Sequence, residues 1–137
     1  MQYPKGINVY NNFLKEDEYE PIRQYFLDYR NGFRGHKCPW YLNNGVIKKN
    51  DGLMQLISMA YFRSRIINQD MFELLSPIYD IIDPMALYRI KANLTLSNKI
   101  QETNPEDMFH TDSDKCIEGG ECNMVTGIYY INTNDGY

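Results

Sequence analysis

The tripeptide His110-Thr111-Asp112 places an imidazole and a carboxylate two positions apart. On a β-strand successive side chains point to opposite faces, so His110 and Asp112 project from the same face. One histidine and one carboxylate on one face are two of the three ligands of a 2-His-1-carboxylate triad, which holds non-haem Fe(II) with open positions. The third ligand would be a second histidine, but the only other histidine, His36, lies far upstream, and 25 residues follow Asp112.

Other kinds of metal site fit the sequence less well. The acidic stretch 112–121 lacks the oxygen ligand and the glycine that a calcium-binding EF-hand loop requires, because a cysteine and an isoleucine stand at those places. A zinc site is disfavoured because Cys116 and Cys122, even with His36 and Cys38, lack the usual ligand spacing. The three cysteines are expected to be reduced thiols, since they are odd in number and no secretory signal precedes them.

Length and charge narrow the class of protein. The chain has 137 residues, of which 43% are hydrophobic, and this is enough for one domain with a core. The net charge is −4, and Arg63-Ser64-Arg65 is only a short basic segment, so nucleic acid is not an expected partner. No apolar stretch approaches the roughly 20 residues needed to span a bilayer, and no signal-peptide pattern is present. We therefore expect a cytoplasmic protein that does not bind membranes.

The spacing of apolar residues predicts two amphipathic helices. The first runs over 16–29, begins in a cluster of acidic residues that suits a helix N-terminus, and ends at Asn31-Gly32. Its apolar stripe is Ile22, Tyr25, Phe26 and Tyr29. The second runs over 69–82, with a kink or break at Pro77, and is closed by Asp83-Pro84. Its apolar stripe is Met71, Leu74, Leu75, Ile78 and Ile82.

Strands are predicted mainly in the second half of the chain. A strand or extended segment is expected over 7–14 and a short strand around 40–42, whereas 53–62 fits either a helix or a strand. Clear strand patterns cover 86–96, 109–112 and 124–132. Because the predicted helices come first and the predicted strands follow, we expect an α+β fold with helices packed against one face of a sheet.

The motif and the segment after it resemble the prolyl-4-hydroxylase-like branch of the 2-oxoglutarate/Fe(II) dioxygenases. In that family an HxD strand is followed by a loop, by a strand of the type T-x-I/L-x-Y-L/I-N, and by a turn rich in Asp and Gly. Here that segment is Thr126-Gly127-Ile128-Tyr129-Tyr130-Ile131-Asn132-Thr133-Asn134-Asp135-Gly136-Tyr137. The strand 88–94 and the loop Pro39-Trp40-Tyr41 are also similar to small members of this group from phage and marine bacterial sequences. The resemblance covers roughly residues 5–137.

The resemblance implies a double-stranded β-helix (jelly roll) with N-terminal helices packed on the sheet, incomplete at its C-terminus. Residues 1–137 would then be the N-terminal part of a single dioxygenase-like domain. Such an enzyme binds 2-oxoglutarate to Fe(II), decarboxylates it to succinate and hydroxylates a C–H bond, in some cases with ascorbate. The substrate stays open among peptidyl proline, a free amino acid, a nucleic-acid base and a small metabolite, although the acidic net charge argues mildly against nucleic acid. The location would be the host cytoplasm if the gene is viral.

The same resemblance assigns roles to individual residues. His110 and Asp112 correspond to the first two iron ligands, Tyr88 to a contact with 2-oxoglutarate, Asn93 to an alternative contact from the opposite strand face, and Tyr130 to a further pocket residue. The family's distal histidine, and the basic residue that pairs with the far carboxylate of 2-oxoglutarate, would lie beyond residue 137. The alternative function is a non-catalytic jelly-roll module, with a structural or interaction role, that kept the fold and lost the metal site.

Overall fold

A computed structural model describes residues 7–44, 54–95 and 125–132. The described residues form three helices and four strands, in the order α1 (Glu16–Leu27), β1 (Tyr41–Asn44), β2 (Met54–Phe62), β3 (Arg65–Ile66), α2 (Gln69–Leu74), α3 (Ser76–Ile82) and β4 (Arg89–Thr95). The α+β class is therefore confirmed. The expectation that the helices all precede the strands is wrong, because α2 and α3 lie between β3 and β4.

The four strands form an open antiparallel sheet in which β2 is central. β1 pairs with the beginning of β2, with Tyr41 opposite Ile57, and β3 pairs with its end. β4 also pairs with β2. The segment 53–62, which fitted a helix or a strand, is thus a strand, since pairing with its neighbours decides between the two.

A two-residue turn joins β2 to β3. Phe62 and Arg65 are opposite each other, and the residues between them, Arg63 and Ser64, have φ angles of 45° and 65°. Positive φ at both central positions is the geometry of a type I′ hairpin turn, whose twist matches that of the strands. Glycine or asparagine usually occupies these positions, because a side chain in the left-handed region is strained.

The described residues belong to two compact units. The first comprises Met1–Cys38 and Met59–Ile90, and the second comprises Pro39–Ser58 and Lys91–Tyr137. Strands β2 and β4 each contribute residues to both units. The core of the first unit is formed by buried side chains from α1, β2, α2 and the α2–α3 junction, namely Ile22, Tyr25, Phe26, Ala60, Met71 and Leu75.

Helix α1 forms where the sequence predicts it and ends earlier. Its first turn carries acidic residues, and the backbone N–H of Lys15 donates to Glu18 Oε2 at 3.0 Å, which satisfies a donor at the helix start. Ile22, Tyr25 and Phe26 are buried as predicted. Tyr29 is 75% exposed, so its assignment to the stripe is wrong, because the helix has ended at Leu27.

The turn after α1 is organised by a side chain. The carboxylate of Asp28 accepts hydrogen bonds from the backbone N–H groups of Asn31 (2.9 Å) and Arg30 (3.0 Å). These bonds hold the pKa of Asp28 below its ordinary value. Gly32 follows with a φ of +65°, and a Cβ there would overlap the carbonyl oxygen of His36. The helix therefore stops at the Asp28 turn rather than at Asn31-Gly32, where glycine is needed for the chain to fold back.

The predicted helix over 69–82 is two helices, with the break at Leu75. Pro77 stands in the first turn of α3, where its missing N–H is tolerated, whereas in a continuous helix it would remove a bond and clash with the preceding turn. Met71 and Leu75 are buried, but Ile82 is 50% exposed, so the predicted single stripe is wrong at its end. Asp83 closes α3 in the left-handed conformation, with a φ of 48°.

Within the described residues, one predicted strand is absent, and the segment expected to be a strand or extended is not a strand. Residues 7–14 form no regular element, and neither do residues 125–132, although their apolar alternation predicted a strand. Val125 is 90% exposed and Tyr130 is 60% exposed. A strand exists only when a partner satisfies its backbone groups, and none of the described strands pairs with 125–132. The predicted strand at 109–112 lies outside the described residues.

Candidate functional site

The two predicted iron ligands, His110 and Asp112, lie outside the described residues, as do Cys116 and Cys122. Within the described ranges, no group of three or more His, Cys, Asp and Glu side chains could hold a metal ion. One imidazole and one carboxylate suit two of the three positions of an Fe(II) triad.

The chain's other histidine, His36, has a different partner. Its Nδ1 lies 2.7 Å from Asp70 Oδ2, and both side chains are more than half exposed. His36 stands at the end of a tight turn in which the backbone groups of Phe33 and His36 bond each other at 2.9 Å in both directions. Asp70 lies in the first turn of α2. His36 also precedes the HxD motif, so it does not correspond to the family's distal histidine.

A second polar cluster surrounds the buried ring of Tyr25. Asn68 Nδ2 donates to the Tyr25 hydroxyl at 3.4 Å, and the backbone N–H of Cys38 donates to the Tyr25 carbonyl at 3.1 Å. Burial raises the pKa of Tyr25 above its ordinary value, and the nearby Cys38 and Asp70 raise it further, while the Asn68 hydrogen bond lowers it. The hydrogen bond from Asn68 joins Tyr25 of α1 to the residue that caps α2.

Tyr88, the predicted contact for 2-oxoglutarate, is held by a cation that the sequence did not indicate. Arg63 Nε donates to the Tyr88 hydroxyl at 3.2 Å, and the backbone N–H of Arg63 donates to the Tyr88 carbonyl at 2.9 Å. The Arg63 guanidinium also lies 5.0 Å from the centroid of the Phe62 ring, which in turn makes an edge contact with Tyr88. A phenol beside a guanidinium is a pair that can bind an anionic group.

No local pattern indicated this pair. Phe62-Arg63 lies at the end of the segment 53–62, which fitted either a helix or a strand, and Arg63-Ser64-Arg65 was interpreted only as a short basic segment. Its partner Tyr88 is 25 residues further along, and only the pairing of β4 with β2 brings the two together.

The remaining predicted residues, Asn93 and Tyr130, are both exposed. Asn93 lies on β4 and Tyr130 lies in the segment that forms no strand. Tyr88 belongs to the first compact unit, whereas Asn93 and Tyr130 belong to the second. The structure thus gives Tyr88 a specific neighbour and gives Asn93 and Tyr130 no buried site of their own.

Comparisons with models of protein families, with curated proteins and with solved structures find no match to this chain. No helix within the described residues is long and apolar enough to cross a membrane.

Proposed function

We propose that this chain is a 2-oxoglutarate/Fe(II)-dependent dioxygenase of the prolyl-4-hydroxylase-like type and that it acts in the cytoplasm. The observation that carries the proposal is the spacing of His110 and Asp112, followed at family-like distance by the segment Thr126–Tyr137. The open antiparallel sheet and the α+β class are compatible with part of a double-stranded β-helix, which is the finer fold that we propose.

In this proposal His110 and Asp112 hold the iron through an imidazole nitrogen and a carboxylate oxygen. When Fe(II) and 2-oxoglutarate are bound, enzymes of this class couple decarboxylation of 2-oxoglutarate to hydroxylation of a C–H bond. Two protein ligands instead of three predict weak Fe(II) binding and little succinate release from the 137-residue chain, because a complete triad fixes the geometry of such sites.

The test measures anaerobic retention of Fe(II) by the 137-residue chain, alone and with 2-oxoglutarate. Retention is expected to be weak with Fe(II) alone and stronger with 2-oxoglutarate, whose 2-oxo and carboxylate oxygens chelate the metal. Glutarate, which lacks the 2-oxo group, is expected to have no such effect.

The chain offers a matched pair of variants, since it has two histidines. His110→Ala is expected to abolish the effect of 2-oxoglutarate, and His36→Ala is expected to leave it intact because His36 pairs with Asp70. If no Fe(II) is retained, or if His110→Ala retains as much as His36→Ala, the iron site is wrong and the non-catalytic interaction module becomes the better explanation.

A further inference from the structure

The turn between β2 and β3 presents two arginines at one end of the first compact unit. Arg63 occupies the first turn position and Arg65 is the first residue of β3, opposite Phe62. Both arginines are exposed. Directly opposed positions of an antiparallel pair have Cβ atoms roughly 5 Å apart, so the Arg65 side chain begins close to that of Phe62, over whose ring the Arg63 guanidinium lies. Phe62 therefore has one arginine next to it in the chain and another opposite it in the strand pair.

Arg63 is fixed in place, whereas its charge is not neutralised. The Phe62 ring supports one face of the guanidinium, and the Tyr88 hydroxyl accepts from Nε. Neither Arg63 nor Arg65 makes an ion pair with any carboxylate among the described residues. By contrast, Arg23 pairs with Glu20 through two hydrogen bonds of 2.8 Å. Among the described residues, the side-chain contacts of Arg63 involve Nε and the face of the guanidinium, and none of them uses a terminal nitrogen.

We propose that Arg63 and Arg65 form a binding site for an oxyanion, meaning a carboxylate or phosphate group of a small ligand, and that Tyr88 positions Arg63 for it. A planar guanidinium offers parallel N–H groups that match two oxygens of such an anion. Because Arg63 is already held by Phe62 and Tyr88, it loses little conformational freedom on binding. Neither of the proposed iron ligands, His110 and Asp112, takes part in this site.

The net charge of the chain indicates that any anion binding depends on these particular arginines. With a net charge of −4, the protein as a whole repels anions, so binding here cannot come from a general basic surface. Arg30 provides a comparison, since it lies 5.4 Å from the Tyr29 ring centroid and its Nε donates to the Tyr29 hydroxyl at 2.9 Å. Its backbone N–H, however, is bonded to the Asp28 carboxylate, which places a negative charge beside it. Arg30 is therefore not expected to bind an anion.

The experiment titrates the ¹⁵N-labelled 137-residue chain with inorganic phosphate and, separately, with succinate, at ionic strength held constant with sodium chloride. We expect saturable shifts in the backbone amides of 62–65 and in the Arg63 Nε–H resonance, which need no variant to be observed. A stronger response to succinate identifies a carboxylate ligand, and a stronger response to phosphate identifies a phosphate ligand.

Three variants and a control assign the binding to the arginines. Arg63→Lys keeps the charge but loses the planar donor pair, and about tenfold weaker binding is expected, as for the loss of one charge-assisted hydrogen bond. Arg65→Lys and Tyr88→Phe are expected to weaken binding less, and Arg30→Lys is the control that leaves it unchanged. The proposal is overturned if 62–65 do not shift with either anion, if Arg63→Lys binds as well as wild type, or if Arg30→Lys weakens binding equally. If Arg63→Lys does not fold, the test uses the wild-type shifts of 62–65 and the affinity of Tyr88→Phe. Unshifted amides in wild type, or unchanged binding in Tyr88→Phe, then overturn the proposal.

Discussion

Asn68 makes one side-chain hydrogen bond to α2 and one to α1. The loss of stability on replacing it can therefore be divided between these two bonds. Its side-chain oxygen accepts from the backbone N–H of Met71 at 3.0 Å, which caps α2, and its nitrogen donates to the buried Tyr25 hydroxyl of α1 at 3.4 Å. Asn68→Ala removes both bonds. Asn68→Ser keeps an oxygen that can cap the helix but loses the donor to Tyr25.

The expected magnitudes follow from the two bonds. Loss of an asparagine N-cap costs about 1 kcal/mol. The bond to Tyr25 is long, and we assign it about 0.5 kcal/mol, the lower end for a neutral hydrogen bond. Asn68→Ala should therefore lower the free energy of unfolding by about 1.5 kcal/mol, and Asn68→Ser by about 0.5 kcal/mol. In a domain whose total stability is roughly 5–15 kcal/mol, both effects are measurable.

The assay is urea denaturation followed by circular dichroism, applied to wild type, the two Asn68 variants, Tyr25→Phe and the double variant Asn68→Ser with Tyr25→Phe. The coupling energy between the two positions should equal the cost of the shared bond, about 0.5 kcal/mol. Equal costs for Asn68→Ser and Asn68→Ala would contradict this division, because the cap would then contribute nothing. The absence of coupling between Asn68 and Tyr25 would contradict it as well.

Three further predictions concern the first unit. The backbone N–H groups of Asn31 and Arg30 hold the pKa of Asp28 below its ordinary value of 3.8, so its contribution to stability is present above that value and is lost as the pH falls through the lowered pKa. Urea denaturation at a series of acidic pH values should therefore show a weaker dependence of the unfolding free energy on pH for Asp28→Asn than for wild type. In urea denaturation, Gly32→Ala should lower the free energy of unfolding by about 2 kcal/mol or more, because its positive φ is strained for alanine and the His36 carbonyl occupies the place of the Cβ. Gly35→Ala is the control: its φ is +82° but no atom lies near the added Cβ, so it should cost only about 1 kcal/mol. Met71→Ala should cost about 2–5 kcal/mol as a fully buried side chain, while the exposed Met85→Ala stays within about 0.5 kcal/mol, and equal midpoints for the two would contradict the assigned core.

Patterns within short stretches of sequence predicted the helices, whose formation depends mainly on residues close together in the chain. The stripe Ile22, Tyr25 and Phe26 and the acidic first turn were enough for α1, and Pro77 was enough for the break between α2 and α3. The end of α1 was misplaced because the Asp28 side chain stops the helix before the asparagine and glycine that usually mark such an end. Short-range patterns therefore located the helices to within a few residues.

Contacts between distant residues were not predictable in the same way. Apolar alternation over 125–132 indicated a strand, but a strand also requires a partner, and pattern alone does not supply one. Tyr88 was a candidate on family resemblance, whereas its contact with Arg63 depends on the pairing of β4 with β2. The pairing of His36 with Asp70, 34 positions apart, likewise comes from the packing of a turn against α2.

The most direct test of the proposed iron site uses a paramagnetic metal to count the histidines that coordinate it by NMR. Co(II) substitutes for Fe(II), and the imidazole N–H proton of a coordinated histidine gives a strongly shifted, exchangeable resonance in the ¹H NMR spectrum. With Co(II) and 2-oxoglutarate bound, we expect one such resonance in wild type, its loss in His110→Ala and its retention in His36→Ala. The absence of any shifted resonance in wild type, or a resonance that disappears in His36→Ala and survives in His110→Ala, would contradict the proposed iron site.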